Sequence, residues 1–349
     1  MMTIRSLRWF AGLALLLGLP WAGILLADLP VARYLEFPPH TLYITHAPFS
    51  WPVFVGLAVV EAGAILLAVR AARRGRGSRP AGTRHAFPWW GWLSLGWIAF
   101  WWWIAWTRLP GFAFIQGHTF TPLWLGYIVA VNALTFARSG RCLMTHDPRH
   151  LLRLFPWSAG FWWFFEYLNR FVQNWMYEGV SAWSPLEYFV LATLSFSTVL
   201  PAVSSTEECL RAFGVAHRAD DRPVGMPGTA VRASWLVVSV ASLAFLAVAP
   251  DLLFPFLWLA PLGLLVLLHP KEHIHTVFPS VGALLRFSVA ALVCGFFWEL
   301  WNLHSLAKWV YHVPFVQRFH LFEMPMLGYF GYLPFGWECA WLATMARRS

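Results

Sequence analysis

Two stretches of this sequence set carboxylates and amides among residues suited to lipid. The first, G-F-W-W-F-F-E-Y-L-N-R-F from Gly160, carries Glu166, Asn169 and Arg170 at i, i+3 and i+4. A helix would put all three on one face. The second, G-F-F-W-E-L-W-N-L-H from Gly295, repeats the spacing with Glu299 and Asn302, and Leu303 stands where Arg170 stood. A charge at the centre of a bilayer costs about 3 kcal/mol or more unless it faces a cavity or a partner. Glu166 is expected to pair with Arg170 one turn on. Glu299 has no cation within a turn, so its candidate partners are His304, a residue of another span, or a proton of its own. An acid so placed is tolerated in its proton-bearing form, and that form can give up its proton in general-acid catalysis or proton coupling.

The resemblance between the two stretches extends beyond the acids. Each is followed by W-x-Y (Trp175/Tyr177 and Trp309/Tyr311), then by a second acid near the next apolar run (Glu187 and Glu323), then by a Glu-Cys pair (Glu208-Cys209 and Glu338-Cys339). The spacings drift by a few residues, which describes a weak internal repeat. The candidate catalytic set is Glu299, supported by Glu166 and Glu323 and oriented by Asn302 and Asn169. Candidate substrate contacts are Trp163, Trp298, Trp301, Tyr167, Arg170, Glu187 and Glu338. Aromatic faces of this kind stabilise the cation formed when an acid protonates an alkene.

Histidines form two further groups, His146 with His150, and His269 with His273 and His275. They are weak metal candidates, because Pro148 and Pro270 interrupt the helical spacing that would converge two imidazoles. No metal site is expected and no cofactor is assigned. The four cysteines are too scattered for a zinc or redox motif and are expected to be free thiols. No Walker loop, GxSxG or HExxH motif occurs, so ATP-driven work and serine hydrolysis have no support.

The elements that must hold these residues are membrane helices. Hydrophobic residues make up 59% of the chain and charged residues 12%, about half the charged share of a soluble domain. Ten apolar runs, roughly 9–27, 49–69, 88–107, 120–137, 154–175, 185–204, 233–250, 252–269, 284–303 and 324–345, approach the length needed to cross a bilayer. Arginines concentrate in alternate loops, above all around 71–87, 137–153 and 205–232 and at the C-terminus. By the positive-inside rule those loops and both termini are cytoplasmic. The expected fold is an all-α polytopic bundle of about ten spans in a bacterial inner membrane. It forms one domain: residues 1–153 are an N-terminal lobe of four spans with a mobile basic loop at 71–87, and residues 154–349 are a six-span lobe carrying the repeat. The repeat is parallel, relating spans 5–6 to spans 9–10. The pattern "GYFGYLPFG" from Gly328 reads as close packing within a span, with a kink at Pro334.

The net charge of +9 belongs to this topology signal, so nucleic acid is not an expected partner. Membrane lipids are, and a second copy or a membrane complex fits the composition. Three functions remain open. The favoured one is an enzyme acting on a lipidic or isoprenoid substrate with intramembrane Glu as acid and base. The others are a proton- or cation-coupled transporter or channel, and a structural subunit of a membrane complex. A site opening sideways to lipid favours the first, a pore along the membrane normal the second, and a filled interface the third.

Overall fold

The computed structural model describes residues 4–78, 84–225, 227–268, 278 and 280–348. Among the described residues eleven longer helices dominate: α1 (Ile4–Leu26), α2 (Trp51–Arg73), α3 (Trp89–Trp106), α4 (Phe120–Ser139), α5 (Pro148–Val172), α6 (Pro185–Phe196), α7 (Val199–Ala212), α8 (Thr229–Ala244), α9 (Phe256–Leu268), α10 (Val281–Asn302) and α11 (Tyr332–Arg348). Every apolar run of the sequence contains one or more of them. Among the described residues, four helical stretches are long and apolar enough to cross a membrane: Trp51–Arg73, Phe120–Ser139, Pro185–Ala212 and Val281–Asn302. The chain is a helical membrane protein.

Local chemistry sets the boundaries. Asp147 caps α5 by accepting from the His150 N–H, and Pro148 opens the helix where its missing N–H costs nothing. Ser280 caps α10 through the Ala283 N–H. Ser184 and Glu187 form a reciprocal capping box at α6. The run from Pro185 breaks between α6 and α7, and Ser158 of α5 fills the gap: its hydroxyl donates to the Phe196 carbonyl at 2.5 Å and accepts from the Leu200 N–H at 2.9 Å. The expected kink at Pro334 is absent, because Met326–Gly331 is a 3-10 turn and Pro334 falls in the first turn of α11.

At the centre lies α7, packed against α4, α5, α10 and α11, with most of its residues buried. Two of its polar side chains are satisfied across the interface with α4: Asn132 donates to the Ser205 hydroxyl at 2.9 Å, and Tyr127 meets Thr206 at 2.9 Å. The closest neighbours are α10 and α11. Gly336 of α11 lies against the α10 backbone, where a Cβ would come within 2.5 Å of the Phe287 carbonyl oxygen. The α3–α4 pair covers one flank, and α1, α8 and α9 pack together on another. At the periphery, α2 has no buried residue.

One end of the bundle carries an unforeseen feature. After α5 and after α10 the chain runs as short strands, β1 (Trp175–Glu178) and β2 (Lys308–Tyr311), which pair antiparallel. A smaller pair, β3 (His320–Leu321) with β4 (Met324–Pro325), lies beyond them in the chain. The opposite, arginine-rich end holds a buried ion cluster. Arg286 of α10 reaches Glu207 at 2.7 Å through Nε and Asp220 at 2.8 and 2.9 Å through Nη1.

Candidate functional site

The two E-x-x-N stretches meet beneath the β1–β2 ribbon. Asn169, in the last turn of α5, donates to the Trp175 carbonyl at 2.8 Å and accepts from the Asn174 N–H at 2.8 Å. Asn302 ends α10 in the same way, donating to the Trp309 carbonyl at 2.7 Å and accepting from its N–H at 2.9 Å. Each amide thus clamps the strand that follows its own helix. The ribbon register sets Trp175 opposite Tyr311 and Tyr177 opposite Trp309. Directly opposed residues, and residues two apart on a strand, share a face. All four rings therefore hang from one face of the ribbon, over both carboxylates.

Glu166 Oε1 accepts from Tyr177 OH at 2.6 Å, Trp175 Nε1 at 3.0 Å and Trp162 Nε1 at 3.1 Å. Glu299 Oε1 accepts from Tyr311 OH at 2.7 Å, Tyr332 OH at 3.1 Å and, more distantly, Trp309 Nε1 at 3.4 Å. Two donors of each set come from matching positions of the W-x-Y segments, and the third differs. Trp162 donates from one turn before Glu166 on the same helix. The corresponding position before Glu299 is Gly295, and a Cβ there would overlap the Tyr332 ring. The glycine admits a tyrosine from α11, and that tyrosine supplies the missing donor.

The expected Glu166–Arg170 pair does not form. The Arg170 guanidinium turns away to the carbonyls of Tyr34 and Glu36, at 2.9 and 2.7 Å, and lies over the Phe37 ring. Two carbonyls from a neighbouring segment compete successfully with a carboxylate whose Oε1 already holds three donors. Among the described residues neither acid has a cation within 4 Å, so the contrast drawn from Leu303 disappears. What separates the acids is access. Glu299 is fully buried, and its Oε2 has no partner among the described residues. Glu166 lines a partly open cleft with Pro39, Arg170, Gln173 and Tyr177, with room for water-sized occupants.

The other acids are engaged differently from the central pair, and of them Glu323 is near enough to Glu299 to interact with it electrostatically. Glu187 accepts the Ser184 N–H at 2.7 Å in its own helix cap. Glu323 pairs with Lys308 at 2.6 Å, at the start of β2. Glu338 is buried on α11, with the backbone N–H of Leu262 as its polar neighbour and no side-chain hydrogen bond among the described residues. Trp163 stacks on Phe189 and donates to Thr193 at 2.9 Å, facing α6. Tyr167 donates to the Leu17 carbonyl on α1. Trp298 and Trp301 are buried against Trp124, with their indole N–H groups unpartnered among the described residues.

No group of three potential metal-ligating side chains occurs among the described residues. The helical turn with His146 ends there and α5 starts at Pro148, so His146 and His150 do not share a helix. His146 Nδ1 lies 2.8 Å from the Cys142 carbonyl. Burial, aided by the nearby charge of Arg347, pushes the His150 imidazole down to about 4. His269, His273 and His275 lie outside the described residues. The cysteines Cys142, Cys209, Cys294 and Cys339 are all free.

Sequence reasoning passed over the six aromatic donors, although W-x-Y following each E-x-x-N was the available signal. It also passed over Gln173, which binds the Tyr43 and Ile44 N–H groups at 2.7 and 3.0 Å and straps residues 41–44 across the cleft end. His46, 2.6 Å from Asp251, fastens the same segment. The sequence matches no family model, and no curated protein or solved structure shows significant similarity to it.

Proposed function

We propose that the ribbon-covered acids are the working centre of a membrane enzyme that performs acid–base chemistry on a lipidic or isoprenoid substrate. The observation carrying this reading is the pair of carboxylates held without cations by tyrosine and tryptophan donors, one of them lining a cleft. In this reading Glu166 is the group that meets substrate. Its carboxyl gives a proton to an alkene carbon and becomes a carboxylate. The donors already aimed at Oε1 stabilise that charge without rearranging. Trp175, which lines the cleft, is the indole beside a carbocation formed there. Loss of a neighbouring proton to Glu166, or capture of water, completes the reaction. The cleft as it stands has room for a water-sized group, so the reading requires it to widen around the reacting end of a lipid. Glu299 is the buried counterpart that tunes the shared ribbon, and Asn169 and Asn302 hold the strands.

A second reading rests on those amide clamps, in which the E-x-x-N stretches only fasten strands to helices in a structural subunit. Glutamine separates the two. It still accepts the aromatic hydrogen bonds but delivers no proton. Total lipid extracts would be compared by mass spectrometry from cells making wild-type protein, Glu166→Gln, Glu299→Gln or no protein. The enzyme reading expects a lipid or isoprenoid that changes with wild type and whose conversion falls about 100-fold or more in Glu166→Gln. Identical extracts, with every variant inserted and stable, would sink it in favour of the structural reading.

The same proposal includes ten spans in a bacterial inner membrane, both termini in the cytoplasm, lobes at 1–153 and 154–349, and a parallel repeat joining the two E-x-x-N stretches. The distribution of arginine supports it, as do the matched donor sets. In a protein freed of its native cysteines, Ser78→Cys is expected to react with an impermeant maleimide only after cells are permeabilised, and His320→Cys in intact cells. The reverse pattern would invert the topology.

A further inference from the structure

We propose that Arg318, at the ribbon end of α2, is a binding site for the phosphate of an anionic phospholipid. The guanidinium lies 5.2 Å from the centre of the Phe49 ring, 5.6 Å from Phe319 and 5.7 Å from Trp51. These rings, with Phe54, pack on one another at centroid distances of 5.1 to 6.2 Å, so the box is a connected cluster. Rings on several sides hold the cation in place by cation–π attraction, yet none can accept the in-plane hydrogen bonds of the fork.

Three other cations at this end are satisfied within the protein, while Arg33 lies over the Tyr34 ring with its buried Nε unpartnered among the described residues. Arg108 donates to the carbonyls of Ala105, Thr107 and His304, Arg170 to those of Tyr34 and Glu36, and Lys308 to Glu323. Arg318 has no carboxylate or carbonyl acceptor for its side chain among the described residues, and it is exposed. A boxed guanidinium with an open fork matches the planar, bidentate geometry of a phosphate.

Depth identifies which phosphate. The 23 residues of α2 span about 34 Å, close to the thickness of a bilayer core. Trp51 begins that helix, so a guanidinium against its ring stands at the level of the headgroups. Because α2 has no buried residue, its surroundings there are lipid. The cation has no acidic neighbour to neutralise it, which favours a lipid of net negative charge. The site lies apart from the acids and does not depend on the proposed enzymatic reading.

The test is native mass spectrometry of detergent-solubilised protein titrated with phosphatidylglycerol, comparing wild type, Arg318→Gln and Arg318→Lys. The first bound lipid is expected to weaken about tenfold in Arg318→Gln, and less in Arg318→Lys, which keeps the charge but not the fork. Phosphatidylcholine should bind more weakly than phosphatidylglycerol to wild type, and millimolar inorganic phosphate should not displace the lipid. Equal phosphatidylglycerol affinity in wild type and Arg318→Gln, with both monodisperse, overturns the proposal. Displacement by inorganic phosphate assigns the site to the free anion and overturns the lipid source. Equal binding of the two lipids overturns the preference for anionic headgroups.

Discussion

Arg286→Leu is expected to destabilise the protein by about 3–5 kcal/mol, the usual cost of removing one member of a buried ion cluster. The expectation follows from what is left behind. Glu207 and Asp220 converge on one guanidinium that is 4% exposed, and Glu207 is itself only 12% exposed. Leucine fills the apolar part of the space but leaves both carboxylates without their cation. The larger share of the loss falls on Glu207, because Asp220 is 35% exposed and keeps the Ser280 hydroxyl. Thermal unfolding in detergent, followed by tryptophan fluorescence, measures it. Arg286→Lys should recover part of the stability by restoring charge without the two-sided geometry. An unchanged midpoint in Arg286→Leu would mean that water already solvates the acids.

The second large effect is expected at Gly336. Replacement by leucine should abolish the packing of α10 on α11 and leave little monodisperse protein. The reason is that the obstacle is backbone. The Phe287 carbonyl and the Ser288 Cα stand where the new Cβ would go, at 2.5 and 2.7 Å, and no rotamer change relieves them. Even one extra methylene in a tight core costs about 1–3 kcal/mol, and here two helices must move apart. Separation would also displace Tyr332 from Glu299, since both are carried by these helices. Size-exclusion profiles and unfolding midpoints of Gly336→Ala and Gly336→Leu give the measure. A normal Gly336→Leu protein would show that the interface yields without cost.

Much of this architecture could be read from residue types and spacing, and the gaps have physical causes. Hydropathy located the helical stretches because lipid demands long apolar helices with every backbone group satisfied. The E-x-x-N spacing drew attention to two acids and two amides that lie together beneath the ribbon, because i, i+3 geometry is local. Arg170 went astray for the opposite reason. Its winning partners, Tyr34 and Glu36, lie 136 and 134 residues away, beyond any local rule. Arg286 escaped notice likewise, with Glu207 and Asp220 79 and 66 residues distant. Trp-x-Tyr was visible as a pattern, but four-residue strands in a helical chain give too short an alternation to be read as a ribbon. Glu61 was passed over despite standing alone in the apolar run of α2. It is half-buried and has no hydrogen bond among the described residues.

The ribbon also imposes an order on biogenesis. Glu178 pairs with Lys308, 130 positions later in the chain. At about 5–20 residues per second, synthesis takes on the order of ten seconds to deliver the second strand after the first. During that interval α5 is already made, and Glu166 has to remain in place without a roof. Trp162, one turn away on the same helix, is at hand from the outset, and Trp175 and Tyr177 follow within 11 residues. Glu299 arrives late, when β1 is waiting, and can rely on Tyr332, which emerges 33 residues afterwards. The difference in the third donor therefore tracks the order of synthesis: the acid that waits longest carries its own protection, and the acid made last borrows from the final helix.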